Sequence, residues 1–414
     1  PGTMNCANFP ASVSTAPVQA MEISLYPTYN VLAKMIFSDK KMREDIMCIG
    51  GTSQWPATIF RGKDQWGENF GYILVDPIGG AIGAFSTGDG ISTGGQSRTP
   101  ICKLPNIEHT EQTFPVLFLY RKELVDSGGA GLHRGGMSAE TCFIPHNTPT
   151  ITHDTLSSGN AVPTSTGMMG GYPATVNIYK FRKNTDILDR FKAANLPSDI
   201  SEVPGEEVTL ALRQQNFQQD PADVYSVVWT GGGGFGDPLR RDPAKVAEDV
   251  NDSRAVSVEA AKNIYGVLLQ PNGEVDTAKT NALRTSMFNQ RKTYPVNGKS
   301  DHKALRLGGK IFKEVTENLC LQYAEAGKTT KTTIRWSCRH CQTDLGPASE
   351  NYKLGCARHD APIAASNPNI GDWTRYVDDE PFFRQFFCPG CGSLIENEVA
   401  RDGDPLLQDV HIKV

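Results

Sequence analysis

The hydrophobic pattern changes near residue 240, and it predicts strands before that point and helices after it. Before it, aromatic and β-branched residues recur in runs of strand length: "PATIFRG", "NFGYILVD", "FPVLFLYRKEL", "TCFIP", "TVNIYKFR" and "EVTLALRQ". A helical stretch, "MEISLYPTYNVLAKMIF", precedes them and is interrupted by Pro27. Glycine-rich segments at 79–90 and 126–136 separate the runs. We therefore expect a β-rich body.

After Gly236 the pattern favours helices. Asp242 and Pro243 form an N-cap and first-turn pair for "PAKVAEDVND", and Ser257 caps "VEAAKNIYG", which ends at Gly266. "VLLQPNGEVDT" predicts a strand with an Asn-Gly turn, and "DTAKTNALRTSMFNQR" a last helix.

A polar segment without periodicity, residues 324–333, is the predicted linker. The predicted fold is mixed α and β, with a β-rich body and helical tail over residues 1–323 and a small cysteine-bearing domain over residues 334–414.

Composition narrows the possible partners. A net charge of −5 over 414 residues gives no broadly basic surface, so nucleic acid is not an expected partner. No run approaches the roughly 18 apolar residues of a membrane span, and the first residues lack the order of a signal peptide. We expect a soluble, cytoplasmic protein without a membrane partner. Ten cysteines are too few for a disulfide scaffold, and four of them form C-x-x-C pairs, which favours metal.

The segment "WTGGGGFGDPLRRDP" (residues 229–243) matches the dinucleotide-binding spacing at Gly231, Gly233 and Gly236. That motif needs a helix that opens at the glycines, whereas Pro238 and Pro243 delay the helix to about Asp242. No Lys-Ser or Lys-Thr pair follows, which excludes a Walker A loop. We interpret the run as a corner for close backbone packing, with Gly233 at positive φ, and we expect no cofactor-binding residue and no tight ATP binding in this chain.

The cysteine pairs are the strongest chemical signal. Cys338 with Cys341, and Cys388 with Cys391, are able to present four thiolates to one tetrahedral ion, and such a site is closed and structural. Gly392 is expected to take a positive φ in the second turn. The 46 residues between the pairs exceed the spacing of a compact ribbon, so Cys356, His340 and His359 remain alternative ligands.

Zinc is the expected ion, with iron or a reactive thiol as alternatives. A Cys391→Ser change is expected to unfold the region after about residue 334 and leave the body folded. Acidic residues within 372–380, just before the second pair, disfavour a nucleic-acid ribbon because they repel phosphate.

Four further residues are weak catalytic candidates. His133 lies between glycines and is able to face a ligand, with Arg134 as an anion contact, but the sequence favours an ordinary loop position for it. Asp89 lies in "TGDGIS", where a polar site residue and an ordinary Asp-Gly turn are the alternatives. His109 and Glu111 are two apart and share a face if the segment is a strand, with solvent exposure as the alternative.

Several segments resemble one enzyme superfamily. "GGGGFGDPLRRDPAKVAEDV", "AKNIYGVLL" and "DSGGAGLHRGG" are similar to the B subunit of the hydantoinase and oxoprolinase superfamily. "NIEHTEQTFPVLFLYRKEL" and "GGYPATVNIYKF" more closely resemble the large subunits of acetone and acetophenone carboxylases. The resemblance covers about residues 1–310 and corresponds to the C-terminal part of that subunit. It implies that another polypeptide supplies the N-terminal part, where the family's catalytic metal ligands lie.

The C-terminal segments "WSCRHCQTDLG" and "FFCPGCGSLIENEVARDGDPLLQDV" resemble the small gamma subunit of the same carboxylases, a zinc protein in that family. The two resemblances together imply one subunit of an ATP-dependent complex that carboxylates a small ketone with bicarbonate. They imply ATP and a divalent metal on partner subunits, including a hydantoinase A-like nucleotide-binding chain. A cyclic-amide hydrolase subunit and a noncatalytic zinc-containing scaffold are the alternatives.

Overall fold

The computed structural model describes residues 8–10, 16–39, 41–43, 55–96, 99–100, 102–324 and 334–412. Within these ranges the α-helices are α1 (Ala16–Phe37), α2 (Ile107–Thr113), α3 (Ile187–Lys192), α4 (Pro243–Asn251), α5 (Val258–Asn263) and α6 (Thr277–Arg291). In the part of the chain so described, every helix is too short or too polar to cross a bilayer.

The strands of the first 240 residues are β1 (Ala57–Lys63), β2 (Asn69–Ile73), β3 (Gly95–Gln96), β4 (Thr99–Pro100), β5 (Val116–Glu123), β6 (Ala139–Pro145), β7 (Ile151–Leu156), β8 (Ile178–Lys183), β9 (Glu206–Val208), β10 (Arg213–Gln219) and β11 (Val224–Val228). They form a four-stranded sheet in the order β10-β7-β1-β2, a five-stranded sheet in the order β5-β6-β11-β8-β9, and the short β3-β4 pair. The predicted β-rich body is confirmed. The predicted "EVTLALRQ" strand is instead split between β9 and β10.

The strands of the C-terminal region are β12 (Ile311–Glu314), β13 (Leu319–Tyr323), β14 (Ile334–Cys338), β15 (Asp344–Pro347), β16 (Ala357–Pro362), β17 (Pro381–Phe387) and β18 (Leu394–Arg401). They form one sheet in the order β12-β13-β14-β15 and another in the order β16-β17-β18. Neighbouring strands in all the sheets of the described residues are antiparallel.

The two large sheets of the body enclose an aromatic core. Phe60 of β1 lies against Phe143 of β6, with ring centroids 5.6 Å apart, and Tyr225 of β11 packs edge-on to Phe143 at 5.5 Å. Each of these side chains points inward because residues alternate between the two faces of a strand. Burial of such rings is the main source of stability for a sandwich of this kind.

A histidine lies inside this core. His153 of β7 is fully buried, stacks on Phe217 at 4.9 Å, and places Nε2 at 2.8 Å from Gln219 Oε1. The Gln219 amide nitrogen donates to the carbonyls of Phe143 and Asp223, so the Gln219 oxygen accepts and His153 Nε2 carries the proton. Burial lowers the pKa of His153 to about 3.

The first prediction concerns this histidine. Because its folded pKa of about 3 lies below the usual value of about 6.5, the unfolded chain binds more protons between these pH values, and the free energy of unfolding falls as pH falls through them. At pH 4.5 the loss is about 2–3 kcal/mol relative to pH 7. Urea titrations across this range should show a shallower pH dependence in His153→Phe than in the wild type. His109→Gln, which changes an exposed histidine, is the control; equal slopes in all three proteins would contradict the assignment.

The helical tail follows its predicted caps. The Asp242 carboxylate accepts from Ala244 N, and the Ser257 hydroxyl accepts from Ala260 N, so α4 and α5 begin where the sequence indicated. Asp276 caps α6 in the same way. The predicted strand in "VLLQPNGEVDT" is wrong: the segment makes one isolated bridge, Leu269 to Val275, around a turn with Gly273 at φ +84°. It is too short on either side of the turn for a ladder.

The tail and the C-terminal region share one hydrophobic core. Tyr172 of the body packs edge-on to Phe383 of β17 at 4.9 Å, and Val256 of the tail belongs to the same buried cluster as Leu394 of β18. The C-terminal region therefore packs against the body through a shared core and is not connected to it by the linker alone.

Strand pairing bears on where the regions divide. β13 pairs with β14, so residues 311–323 share a sheet with the first cysteine pair, although the predicted boundary at residue 323 separates them. We propose a boundary before Ile311. Residues 325–333 of the predicted linker lie outside the described residues.

Candidate metal centre

The two cysteine pairs lie on two turns of the same design. Cys338 ends β14, its amide donates to Thr343 O at 2.9 Å, and the amide of Gln342 donates back to Cys338 O at 2.7 Å. After β17, the Cys388 amide donates to Ser393 O at 2.9 Å, and the Gly392 amide to Cys388 O at 2.8 Å.

Each turn reverses through one residue in the left-handed region. Gln342 has φ +60° and Gly392 has φ +76°, so the positive φ expected at Gly392 is observed. Glycine is required at the second position for a further reason, because a Cβ there would lie 2.3 Å from Phe288 O.

The four sulfur atoms have the spacing of a tetrahedral thiolate site. All four lie within 4.8 Å of one another; Cys338 Sγ is 3.8 Å from Cys391 Sγ, and Cys341 Sγ is 3.5 Å from Cys388 Sγ. Zinc–sulfur bonds of about 2.3 Å in a tetrahedron place sulfurs about 3.8 Å apart. The residues present therefore fit one metal ion with all four positions taken by sulfur.

The alternative ligands lie elsewhere. The Cys356 thiol is buried and directed at Tyr352 O, His340 Nε2 lies 3.0 Å from Asn318 Oδ1, and His359 stacks on the ring of Tyr294 at 4.3 Å. The 46-residue separation does not prevent clustering, because the intervening chain forms β15, β16 and β17 and returns beside the first turn.

Hydrogen bonds favour the thiolate form at the second cysteine of each pair, Cys341 and Cys391. Hydrogen bonding from the Cys338 thiol, with support from the Ser393 hydroxyl at 3.2 Å, lowers the pKa of Cys391 to about 6. The neighbouring cysteine thiols, and then the Thr343 hydroxyl at 3.0 Å, lower the pKa of Cys341 as well. Hydrogen bonds to the same neighbours raise the pKa of Cys338, so the four thiols share their protons as one cluster. Metal binds the thiolate form and would release the remaining protons.

The second turn is fixed to the body by an ion pair that the sequence did not reveal. Asp237 accepts from Arg291 Nη1 at 2.8 Å and from the Leu394 amide at 2.9 Å. The side chains of Asp237 and Arg291 are almost completely buried. Arg240 donates to the Ser393 hydroxyl. The only sequence signal was the Asp-Pro pair directly after the glycines, which indicates a local turn and not a contact 157 residues away.

The glycine corner (residues 231–236) is buried among three other segments. Gly232 N donates to Gly136 O at 3.0 Å, Gly234 N to Tyr172 O at 3.0 Å, and Gly236 N to Met168 O at 3.0 Å. These amides are used within the fold and do not face a phosphate. The interpretation as a backbone-packing corner is confirmed.

The expected positive φ at Gly233 is wrong, since among residues 231–236 it occurs at Gly236, where φ is +74°. Gly233 is required instead by close approach: a Cβ there would lie 2.1 Å from Thr166 O.

Two of the four weak catalytic candidates lie together. Both Asp89 oxygens accept from the Arg241 guanidinium, at 2.6 and 2.7 Å, and His133 Nδ1 lies 4.0 Å from Asp89 Oδ1. Arg241 is 1% exposed and also pairs with Asp249, which binds Arg134 Nε at 2.8 Å.

Burial opposes ionisation of Asp89, but hydrogen bonds from Arg241 hold the pKa of that carboxyl below its usual range. Burial lowers the pKa of His133, which favours the neutral ring. Two carboxylates thus face two guanidinium groups, an arrangement that anchors the glycine-rich loops.

His109 and Glu111 lie on α2, so their predicted placement on one face of a strand is wrong. Asn106 caps this helix by accepting from the His109 amide at 2.9 Å, and residues two apart on a helix point in different directions. His109 is exposed, while Glu111 Oε1 accepts from the Phe118 amide at 2.8 Å. A catalytic role for any of the four candidates stays a prediction.

Comparison with known proteins divides the chain into two matches. Residues 1–238 match the hydantoinase B/oxoprolinase family, and residues 314–414 match the acetone carboxylase gamma subunit family. The second match begins within β12 and so includes β13.

Individual relatives are longer proteins. The acetophenone carboxylase delta subunit of Aromatoleum aromaticum is 26% identical over 68% of this chain and 42% of the relative. The caprolactamase subunit beta of Pseudomonas jessenii is 31% identical over 54% of this chain and 36% of its own length. The nucleotide-free structure of acetone carboxylase superposes with a TM-score of 0.51 at 26% identity, covering 57% of this chain and 33% of that one. The chain thus spans less than half the length of these relatives.

Proposed function

Because the chain belongs to the hydantoinase B/oxoprolinase family, we propose that it is a subunit of an ATP-dependent ketone carboxylase. The reaction joins the α-carbon of a small ketone to the carbon of bicarbonate, with net loss of water that ATP hydrolysis drives, and yields a 3-oxoacid. One observation carries the proposal. A body similar to large subunits of acetone and acetophenone carboxylases continues into a region that matches the gamma subunit family of the same enzyme type.

The proposed metal is one structural zinc ion held by Cys338, Cys341, Cys388 and Cys391. Sulfur spacing near that of a tetrahedral zinc site supports this choice. With four protein ligands the ion leaves no position for water or substrate, so its contribution is to hold the two turns together. The second turn then presents the Leu394 amide to Asp237 and fixes the C-terminal region on the body.

The nucleotide and the catalytic divalent metal are assigned to partner chains. The amides of Gly232, Gly234 and Gly236 are used internally, which supports placing ATP on a hydantoinase A-like partner. The relatives are longer than this sequence, and the catalytic divalent metal is assigned to a part of the complex outside it. The assembled complex is expected to be cytoplasmic, with a small ketone as the substrate.

A second candidate function is hydrolysis of a cyclic amide. The identity of 31% to a caprolactamase subunit favours it, but that similarity covers 54% of the chain. The gamma-type region is the feature that favours the carboxylase. The closed cysteine cluster and the paired charges around Asp89 are also consistent with a third candidate, a noncatalytic scaffold subunit.

The assay uses the complex purified with its partner chains, ¹⁴C-bicarbonate, ATP, and acetone, butanone or acetophenone as substrate. We expect ATP-dependent transfer of label into an acid-labile 3-oxoacid with at least one ketone, and no transfer when ATP is omitted. The same preparation is offered caprolactam, hydantoin and 5-oxoproline. Ring opening without any fixation of label would replace the carboxylase by the hydrolase, and a complex that does neither would favour the scaffold.

A further inference from the structure

A cleft of about 320 Å³ lies where the body meets the C-terminal region. Its walls come from β8, from residues 207–210 at the end of β9 and beyond, and from residues 369–376 between β16 and β17. Small-molecule sites are common at such junctions, and this volume is at the lower end of their usual range of roughly 300–1,000 Å³. Both regions contribute walls, so neither encloses the cleft alone.

One wall is apolar and continues into a row of cations. Val176, Ile178 and Leu210 are apolar residues that line the cleft. Ile178, Lys180 and Arg182 share one face of β8 because alternate residues of a strand point to the same side. A ligand on this face therefore meets hydrocarbon and positive charge together.

Most charges near this row already have partners. Lys180 Nζ lies 3.0 Å from Glu140, a fully buried carboxylate that also accepts from the Ser226 hydroxyl. Asp199 at the cleft is bound by Lys122 at 2.7 Å. Because these charges are already paired, Lys180 and Asp199 are not the groups that would select a charged ligand.

Arg182 is the exception. One of its nitrogens donates to Val203 O, and within the described residues no carboxylate oxygen lies within 4 Å of its guanidinium. Glu207 is its cross-strand partner on β9, yet Glu207 Oε1 instead lies 3.8 Å from Arg375 Nη1. A guanidinium has five donors in a planar fork that matches a carboxylate, and most of these remain for a ligand.

We infer that this cleft binds a small organic carboxylate, with the ligand's carboxylate on Arg182 and its hydrocarbon part against Ile178 and Leu210. Arg375, which lies at the mouth between Glu207 and Asp372 at 3.8 and 3.7 Å, contributes positive charge without a hydrogen bond of its own to either. The inference rests on the cleft and not on the proposed carboxylase. A 3-oxoacid is one member of the ligand class, and an aryl carboxylate is another.

The test titrates the full chain into 4-fluorobenzoate and follows ¹⁹F linewidth, with 4-fluorobenzamide as the uncharged probe of the same shape. We expect saturable binding of the acid with a dissociation constant of roughly 0.1–1 mM and weaker binding of the amide. Arg182→Met should weaken binding of the acid about tenfold or more, because a charged hydrogen-bonding partner is lost. Lys183→Met, the next residue of β8 and not a lining residue, is the matched control and should change binding less than about twofold.

Ser201→Trp is a second variant that does not touch Arg182. Ser201 is exposed and lines the cleft, so the indole is expected to fill it and abolish binding in a folded protein. Absence of saturation by the wild type up to about 10 mM would overturn the inference. Equal loss in Arg182→Met and Lys183→Met, or unchanged binding in Ser201→Trp, would also overturn it, because attraction to general surface charge would then explain the signal.

Discussion

Cys391→Ser is expected to release the metal and to unfold the C-terminal region. A serine hydroxyl does not replace a thiolate as a zinc ligand, and in small metal-binding domains the free energy of metal binding is also free energy of folding. That contribution is about 10–16 kcal/mol for zinc-finger peptides, which is as large as the whole stability of an ordinary domain. Loss of one ligand therefore has a larger effect than an ordinary core substitution.

The sequence alone led us to expect that the body would stay folded in this variant, and the structure changes that expectation. Tyr172 packs on Phe383, and Asp237 accepts from the Leu394 amide, so the helical tail and one side of the body lose buried contacts when β17 and β18 unfold. The core around Phe60 belongs to a separate cluster and should persist. The variant is thus expected to be partly folded, with a sandwich that retains its strands.

Metal analysis and amide hydrogen exchange measure both effects. We expect less than a tenth of an equivalent of zinc in Cys391→Ser, loss of protection in β17, β18 and α6, and retained protection in β1 and β11. Cys320→Ser is the matched control, since Cys320 is fully buried on β13 but lies outside the cluster. A Cys391→Ser protein with a full equivalent of metal and unchanged exchange would exclude this cysteine as a ligand.

Local signals in the sequence predicted local structure well. Asp242 and Ser257 are observed as N-caps, and the second cysteine turn takes its positive φ at Gly392, because caps and tight turns depend on residues within four positions. The four cysteines also cluster as the sequence suggested, since two C-x-x-C turns have few other uses in one short region. Their binding of metal stays a prediction.

Contacts between distant segments could not be predicted in the same way. Asp237 forms an ion pair with Arg291 and accepts a hydrogen bond from the Leu394 amide, just after the second cysteine turn. Nothing in the sequence around Asp237 or Arg291 distinguishes them from charged residues on the surface. Arg241 binds both Asp89, which is 152 positions away in the sequence, and Asp249, which is 8 positions away. The segment with His109 was ambiguous because seven residues fit a strand or one short helix, and Asn106 as a cap decided for the helix. The positive φ expected at Gly233 failed because neighbouring segments, and not its own turn, exclude a side chain there.

Gly135→Ala is expected to prevent folding, because it places a methyl group where two backbones already touch. A Cβ at Gly135 would lie 1.7 Å from Gly232 O, and the neighbouring amides hold both segments: Gly135 N donates to Gly129 O, and Gly232 N donates to Gly136 O. Separation of the two backbones would break these bonds in a buried site, where an unpaired amide costs about 1–3 kcal/mol each. Gly233→Val is expected to act in the same way, through Thr166 O at 2.1 Å.

Expression yield in the soluble fraction and urea unfolding test this prediction. We expect Gly135→Ala and Gly233→Val to lose more than about 5 kcal/mol, which exceeds what a domain of ordinary stability tolerates, so both should be recovered as unfolded or aggregated chain. Gly71→Ala, on β2 with no atom within 4 Å of the added Cβ and no positive φ, should stay within about 1 kcal/mol of the wild type.

ATP binding distinguishes a packing role of these glycines from a phosphate-binding role. If Gly233→Val folds normally but loses saturable ATP binding that the wild type shows, the glycines serve a nucleotide and the packing account is wrong; if it fails to fold while Gly71→Ala does not, close backbone approach is the reason for the run.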